Sequence, residues 1–355
     1  MIRLSIIVPM YNVDRYIERC IRSMQNQDIP SSDYEIICIN DGSPDKCKEV
    51  VEELQDEFDN IILLNQENRG VSTARNRGID IAKGRYLLMI DPDDYIRPNC
   101  LKNKLDLAEL HALEIAYSGY IILNEEMEEC YRYDLSPHLA EVISGIEFHN
   151  RYEIGRSEIR DPHRSVAIFM KRDFLNSHNL RYLLDVPFLE DGEFMTRVNC
   201  LAKRVNFFSE PFYLRTTRKG SATHSRLYFS KKSREGFLKS ACNLLNFKST
   251  ICQNDEERGF INQPIIHFVI LYIISLDLLS YLRGYRQLYL TLKKGVFRTL
   301  ETEKCPEFYV MMAKRYNSSL HCFYFNWLVY KYRKSFQLRL KRITKSSLDH
   351  QISCL

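Results

Sequence analysis

The chain has 355 residues, which is enough for one large domain or two domains of ordinary size. Hydrophobic residues make up 45% and charged residues 27% of the sequence, as in soluble globular proteins. The net charge of +4 excludes a polycation that binds nucleic acid along its whole length, so we expect no nucleic-acid partner. The eleven cysteines include no Cys-x-x-Cys pair, which favours reduced thiols in a cytosolic protein over a disulfide framework.

Short apolar runs alternate with helical patterns in the first hundred residues. The apolar runs predict four buried strands, at residues 4–9, 34–40, 61–64 and 86–90. The segments between them predict three helices, the first capped by Asn12, the second at about 45–58 and the third at 70–83. Strands that alternate with helices of this length indicate βαβ units and a doubly wound, mostly parallel α/β sheet of the Rossmann-like kind.

The pattern is less regular after residue 95. Helices are predicted at about 99–113, in a short segment ending near 179, and at 191–202. Strands are predicted at 115–123, 129–133, 166–170 and 205–208. From residue 230 onward the sequence predicts only helices. We therefore place a domain boundary near residue 225, between a first domain at 1–225 and a helical C-terminal region at 226–355.

Polar residues follow three of the predicted parallel strands, in the segments 9–12, 40–43 and 91–94. Because parallel strands bring their carboxyl ends to one edge of a sheet, where ligands bind, we expect these segments to lie together. The acids of Asp91-Pro-Asp93 can hold Mg²⁺, which takes one or two carboxylates plus phosphate oxygens. The alternative for this segment is a simple turn in which Asp91 caps a helix.

Two further charged residues in this half are candidates for ligand contacts. Asp41 can accept hydrogen bonds from a base or a ribose, although it could instead cap the next helix. Arg75 lies one turn into the third predicted helix, where the helix N-terminus attracts anions, although it could instead face solvent. The first strand is not followed by G-x-G-x-x-G, and the sequence contains no G-x-x-x-x-G-K-[ST]. These absences argue against an NAD-type dehydrogenase and a P-loop NTPase.

Four motifs occur in a fixed order, SIIVPMYN at 5–12, NDGSPD at 40–45, NRGVSTARN at 68–76 and DPDD at 91–94. Their order and spacing closely resemble those of family 2 glycosyltransferases, and the resemblance covers roughly residues 1–225. It implies a GT-A fold and an inverting, metal-dependent hexosyltransferase that uses a nucleotide sugar, with UDP as the expected nucleotide. It also implies Mn²⁺ or Mg²⁺ as the cofactor.

The resemblance implies roles for individual residues as well. Asp191 is the expected catalytic base beside Glu190, and its chemistry fits, because an inverting transfer needs one carboxylate to take the acceptor proton. The alternative for this acidic pair is capping of a helix. Asp93 is the expected metal ligand, and His224 is a further candidate ligand that would favour Mn²⁺, unless it is an ordinary surface histidine. The residues expected to bind the nucleotide sugar are Pro9, Tyr11, Asn12, Asp41, Arg75, Asp91, Arg215, Arg218 and Ser221. The last three belong to a basic segment, 214–224, that resembles the family's loop over the donor diphosphate.

Residues 226–355 contain no motif that we can match. The run at 265–282 predicts a buried or interfacial helix, because its length is marginal for crossing a bilayer. The segment 327–345 combines aromatic residues with unopposed positive charge. It predicts either contact with an anionic membrane surface or an ordinary solvated basic helix. We therefore expect a cytoplasmic protein, either free or peripheral on the cytoplasmic face of the membrane.

The resulting hypothesis is transfer of a sugar to a hydroxyl of a glycan or lipid-linked acceptor in the synthesis of a bacterial surface polysaccharide, such as capsule or lipopolysaccharide. One alternative is a nucleotidyltransferase that makes nucleotide sugars, but the segment 9–14 lacks the Gly-rich, basic loop that such enzymes place after the first strand. A second alternative is a non-catalytic relative that binds nucleotide sugars. The acids retained at Asp41, Asp91, Asp93 and Asp191 argue against it.

Overall fold

The structure, a computed structural model, describes residues 1–134, 141–152, 165–217 and 230–331. The chain forms two compact units, the first ending at Gln253 and the second beginning at Asn254. This division falls later than the predicted boundary near residue 225. The physical reason is that helix α8 (Lys231–Thr250) packs on α7 (Glu190–Leu201), so the first helix of the expected C-terminal region belongs to the first unit.

A mixed sheet forms the centre of the first unit, and nine of its strands lie within the described residues. They are β1 (Leu4–Met10), β2 (Tyr34–Asp41), β3 (Ile61–Gln66), β4 (Tyr86–Met89), β5 (Tyr95–Ile96), β6 (Ile115–Leu123), β7 (Glu129–Tyr133), β8 (Ile168–Lys171) and β9 (Val205–Thr216). Their order across the sheet is β3-β2-β1-β4-β8-β6-β9-β5, with β7 paired to β6.

The half of the sheet that holds the predicted strand ends is parallel. Strands β3, β2, β1 and β4 all run in the same direction, as do β6 and β9. Strand β8 runs antiparallel to both β4 and β6, so it joins the two halves. The sheet is therefore mostly parallel, and the predicted α/β fold class is confirmed.

Helices cover both faces of this sheet, as a doubly wound fold requires. Besides α7 and α8 they are α1 (Asp14–Gln25), α2 (Cys47–Glu57), α3 (Val71–Ile81), α4 (Leu101–Leu110), α5 (Gly145–Tyr152) and α6 (Arg172–Ser177). Alternate residues of a strand point to opposite faces. Accordingly, Ile6 and Val8 of β1 lie in one core with α1, α2 and α4, whereas Ile7 lies in the other core with α3, α6 and α7.

Several elements differ from the sequence-based expectations. Asn12 does not cap the first helix, because it has a left-handed backbone with φ 56° and the helix begins two residues later. Strand β9 extends to Thr216 rather than ending at residue 208, because residues 213–216 pair with β6 as residues 205–208 do. The sequence did not predict α5, and it did not predict the short strand β5.

The second unit is helical where it is described, which confirms the prediction of helices after residue 230. It contains α9 (Asp255–Ile274), α10 (Leu278–Leu292), α11 (Glu307–Ser318) and a helical segment at 320–331. The apolar run at 265–282 is divided between α9 and α10, because the Asp277 side chain caps α10 by accepting from the Ser280 N–H. No helix in the described ranges has both the length and the apolar character needed to cross a membrane. Of the predicted basic segment 327–345, residues from 332 onward lie outside the described residues.

Candidate active site

The predicted strand ends meet at one edge of the sheet. The Asn12 N–H, after β1, donates a hydrogen bond of 2.7 Å to Ser43 Oγ, after β2. The Ser43 hydroxyl in turn donates to Asp45 Oδ1, whose carboxylate also accepts from the Asp14 N–H at the start of α1. Pro9 is buried in β1, whereas Tyr11 and Asn12 are exposed beside it. The loops after β1 and β2 are therefore joined directly.

Asp41 lies buried at the end of β2 and holds the loop that leads into α3. Its carboxylate accepts hydrogen bonds from Gln66 Nε2 at 2.7 Å, from the Arg69 N–H at 2.9 Å and from the Gly70 N–H at 2.8 Å. Gly70 has φ 86° and ψ 161°, a backbone conformation that is essentially restricted to glycine. This conformation presents two successive N–H groups to one carboxylate. A contact between Asp41 and a base or ribose stays a prediction.

The guanidinium of Arg75 is buried and contacts three carboxylates. Its Nη1 donates to Glu190 Oε1 and to Asp191 Oδ1, both at 2.9 Å, and its Nη2 donates to Asp91 Oδ1 at 3.1 Å. Its Cζ also lies 5.2 Å from the ring centroid of Tyr182. Arg75 is therefore not a solvent-facing arginine. A contact between Arg75 and a nucleotide-sugar donor stays a prediction.

Asp191, in the first turn of α7, carries the most informative electrostatic change in the site. Burial raises the pKa of Asp191 to about 7, against the opposing effect of the Arg75 guanidinium and with a smaller contribution from the charge of Glu190. The hydroxyl of Ser165 donates to Asp191 Oδ1 at 2.9 Å, and the Ser165 N–H donates to Oδ2 at 3.3 Å. A carboxyl with a pKa near neutrality can take up a proton at physiological pH.

Asp94 attaches the acidic loop to strand β9. It is buried, and its carboxylate accepts from the Tyr213 hydroxyl at 2.7 Å and from the Thr216 N–H at 2.8 Å. The Tyr213 hydroxyl also accepts from the Asp91 N–H at 3.1 Å. Burial, together with the charges of Asp91 and Asp93, raises the pKa of Asp94 well above its usual value. Asp94 therefore has a structural role, in which the Tyr213 hydroxyl bridges the two ends of the loop.

Asp91 and Asp93 are the acids of this loop that could reach a cation. The Asp91 side chain is 36% exposed, and the Asp93 carbonyl is held by Arg19 Nη2 and Thr216 Oγ1. No group of three His, Cys, Asp or Glu side chains forms a metal-site geometry within the described ranges. Mg²⁺ commonly binds through one or two carboxylates and completes its shell with water and substrate phosphates. Two acids separated by one residue, at the carboxyl edge of the sheet, fit that mode of binding.

Sequence reasoning missed Ser165, Tyr182 and Tyr213, because none of them lies in the four motifs and each reaches the site only through the fold. Arg215 lies in β9, opposite Ile122 of β6. The remaining predicted residues, Arg218, Ser221 and His224, lie outside the described residues. Their roles toward a diphosphate or a metal stay predictions.

The comparisons with known proteins agree with this geometry. Residues 5–175 match the family model for glycosyl transferase family 2. The chain is 30% identical over 232 residues to the uncharacterized glycosyltransferase EpsJ of Bacillus subtilis, covering 62% of each protein. It is 38% identical over 112 residues to the minor teichoic acid biosynthesis protein GgaB of Bacillus subtilis, covering 31% of this chain and 12% of GgaB. The matched parts thus span less than two thirds of the length of either relative.

Among solved structures, the chain is similar to the crystal structure of TarS residues 1–349 from S. aureus in complex with UDP-GlcNAc. The TM-score is 0.59 at 19% identity, and the alignment covers 82% of this chain and 80% of the TarS chain. This likeness shows a GT-A-like α/β fold followed by a helical region. We conclude that this chain carries a glycosyl transferase family 2 domain, which occupies residues 5–175.

Proposed function

We propose that this protein is an inverting glycosyltransferase that moves a sugar from a nucleotide-sugar donor to a hydroxyl of a saccharide acceptor. The family model supports transfer of a sugar, and the UDP-GlcNAc bound to the similar TarS structure supports a UDP-linked donor. The name of GgaB, which refers to teichoic acid biosynthesis, supports an acceptor that belongs to a cell-surface polymer.

One observation carries the proposal. Asp91 and Asp191 are far apart in the sequence, yet both accept hydrogen bonds from the guanidinium of Arg75. A carboxyl group whose pKa lies near neutrality is thereby held next to the acidic loop that is expected to receive the donor. A general base and a donor site within reach of each other are what direct transfer to an acceptor requires.

In the proposed reaction, the ionised Asp191 carboxylate takes the proton of the acceptor hydroxyl as its oxygen attacks the anomeric carbon of the donor sugar. The bond from that carbon to the nucleotide diphosphate breaks as the new glycosidic bond forms, so the configuration inverts. Arg75 Nη1 and the Ser165 hydroxyl donate to Oδ1 of Asp191, and the Ser165 N–H donates to Oδ2, so these hydrogen bonds orient the carboxylate. The proton then passes from Asp191 to solvent.

The leaving diphosphate needs to be stabilised by positive charge. The charge of Arg75 is already balanced within the chain, because its Nη groups contact three carboxylates. Asp93 and Asp91 are the residues that would hold Mg²⁺ or Mn²⁺, which when bound would neutralise charge on the departing diphosphate. The basic segment 214–224 is the second proposed source of positive charge.

The proposal is tested by first screening UDP-sugars for release of UDP by the wild-type protein in the presence of Mn²⁺. The productive donor is then given to the Asp191→Asn variant. We expect activity to fall by about 10²–10⁴-fold, since general base catalysis contributes a factor of that size. The matched control is Asp173→Asn, an exposed acid on α6, which should leave the rate unchanged.

Full activity in Asp191→Asn would refute the assigned base. Release of pyrophosphate from a nucleoside triphosphate and a sugar phosphate would instead support the nucleotidyltransferase alternative. Donor binding without turnover under any condition would support the non-catalytic alternative.

A further inference from the structure

Helix α10 in the second unit exposes an unusual number of apolar side chains. Leu278, Leu282 and Tyr289 are exposed, and with Tyr285 they recur at the spacing of one helical stripe. The neighbouring stripe contains exposed Leu279, Arg283, Arg286 and Leu290. The outward side of this helix is therefore apolar with arginines at its centre.

The helical segment 320–331 continues this apolar surface. Its exposed residues include Phe325 and Val329, which follow His321 at intervals of one and two turns. The His321 ring stacks on Tyr285 of α10 with 3.8 Å between ring centroids, and the Phe325 ring lies 6.3 Å from that of Tyr281. The two helices thus meet along a line of aromatic rings. We call the exposed side chains on either side of that line the α10 surface: Leu278, Leu282, Arg283, Arg286, Tyr289, Phe325 and Val329.

The charged side chains of the α10 surface, Arg283 and Arg286, are both positive. Residues 278–300 contain five Lys or Arg and no acid. The residues that follow, 301–331, contain four Lys or Arg and three Glu, so the described chain from 278 to 331 has a surplus of positive charge. A second copy of this chain would bring the same positive charge to the contact, so self-association through this surface is opposed by repulsion. An anionic lipid surface complements both the positive charge and the exposed apolar side chains.

We propose that the α10 surface binds the surface of an anionic lipid bilayer. Leu282, Phe325 and Val329 enter the boundary between headgroups and acyl chains, while Arg283 and Arg286 lie beside the lipid phosphates. This inference concerns the second unit alone and does not depend on the proposed sugar transfer.

Co-sedimentation of the full chain with lipid vesicles tests the charge requirement. We expect binding to vesicles of phosphatidylcholine mixed with phosphatidylglycerol, little binding to phosphatidylcholine alone, and weaker binding as salt is raised. Arg283→Gln combined with Arg286→Gln should lower the partition coefficient roughly 25-fold, at about five-fold for each arginine near the lipid surface. The matched control is Lys231→Gln combined with Lys232→Gln on α8, which removes the same charge from the first unit and should retain most of the binding.

A second pair of substitutions tests the apolar requirement. Leu282→Ser and Val329→Ser replace side chains that are 52% and 51% exposed, so the fold should tolerate both. The double variant should bind anionic vesicles at least about ten-fold more weakly, because it buries two fewer apolar side chains in the bilayer. The control Leu110→Ser, at an exposed leucine of α4, should bind like the wild type, and circular dichroism confirms the fold of each variant.

Three results would overturn the proposal. The wild type could remain in the supernatant with phosphatidylglycerol vesicles. The serine double variant could bind as tightly as the wild type. Finally, sedimentation velocity without lipid could show a wild-type dimer that the serine double variant converts to a monomer, which would assign the α10 surface to a second copy of the chain.

Discussion

Asp191 owes its proposed chemistry to opposing effects on one carboxyl group. Burial disfavours its charged form, and the guanidinium of Arg75 only partly offsets that cost. Glu190 and Asp91 share the same guanidinium, so the local charge remains negative when all three acids are ionised. The result is a base that is ionised to a useful extent near neutral pH.

The first prediction at this scale concerns the pH dependence of transfer. Because the base must be deprotonated, kcat/KM should rise about tenfold per pH unit below a pKa of about 7 and level off above it. Ser165→Ala removes a hydrogen bond that lowers the pKa of Asp191, so this variant should shift the rise to higher pH. An acid limb near the ordinary aspartate pKa of about 4 would contradict the assignment.

The second prediction concerns stability. The pKa of Asp191 is higher in the folded state than in the unfolded state. At pH values between about 4 and 7, the folded state therefore still holds a proton that the unfolded state has already released. Stability from this group is therefore present at low pH and is lost as the pH rises through about 7. Asparagine does not ionise, so Asp191→Asn should be more stable than the wild type above pH 7, by roughly 1–4 kcal/mol.

Urea unfolding of both proteins at several pH values measures this difference, which should shrink as the pH falls toward about 4. A variant that is inactive yet more stable would separate a catalytic role of Asp191 from a structural one. A variant that is less stable than the wild type at high pH would instead show that the Asp191 charge holds the site together.

Among the elements, helix α7 is held in place by a buried ion pair that begins two residues after Asp191. Glu193 is fully buried and accepts two hydrogen bonds of 2.7 Å from the guanidinium of Arg197. It also accepts from Asn243 Nδ2 of α8 at 2.7 Å. The position of the proposed base therefore depends on a contact between α7 and a helix that follows the sheet.

Glu193→Ala should lower the free energy of unfolding by about 3–5 kcal/mol, because it leaves the Arg197 charge buried and uncompensated. The matched control is Glu52→Ala in the exposed Lys48–Glu52 pair of α2, which should cost less than about 0.5 kcal/mol. Equal effects of the two substitutions in chemical denaturation would show that α7 is not anchored by this pair.

Elements determined by the local sequence were predicted correctly, whereas elements that depend on contacts between distant residues were predicted too short or missed. Strands β1 to β4 were predicted because each is a short continuous apolar run, and the helices between them because their apolar residues recur at helical spacing. Strand β9 was predicted too short, since its residues after 208 form a strand through pairing with the distant strands β6 and β5. Helix α5 was missed, because its local sequence, ending at Tyr152, shows no clear apolar stripe.

At the scale of the whole molecule, the same distinction separates the residues of the candidate site. The convergence of Asn12, Ser43 and the 91–94 loop follows from the parallel order of β2, β1 and β4, so the sequence pattern could predict it. The partners of Arg75 could not be predicted in this way. Glu190 and Asp191 meet it only because α7 packs against the sheet beside α3. For the same reason, no local signal could have indicated Ser165.

The proposed reaction requires Asp93 and Asp191 to face the same bound donor. A crystal structure of the Asp191→Asn variant with Mn²⁺ and the UDP-sugar that the wild type consumes shows whether they do. We expect the diphosphate and the metal at Asp93, with the anomeric carbon of the sugar facing position 191. A donor bound away from the 91–94 loop, or one whose anomeric carbon faces away from position 191, would contradict it.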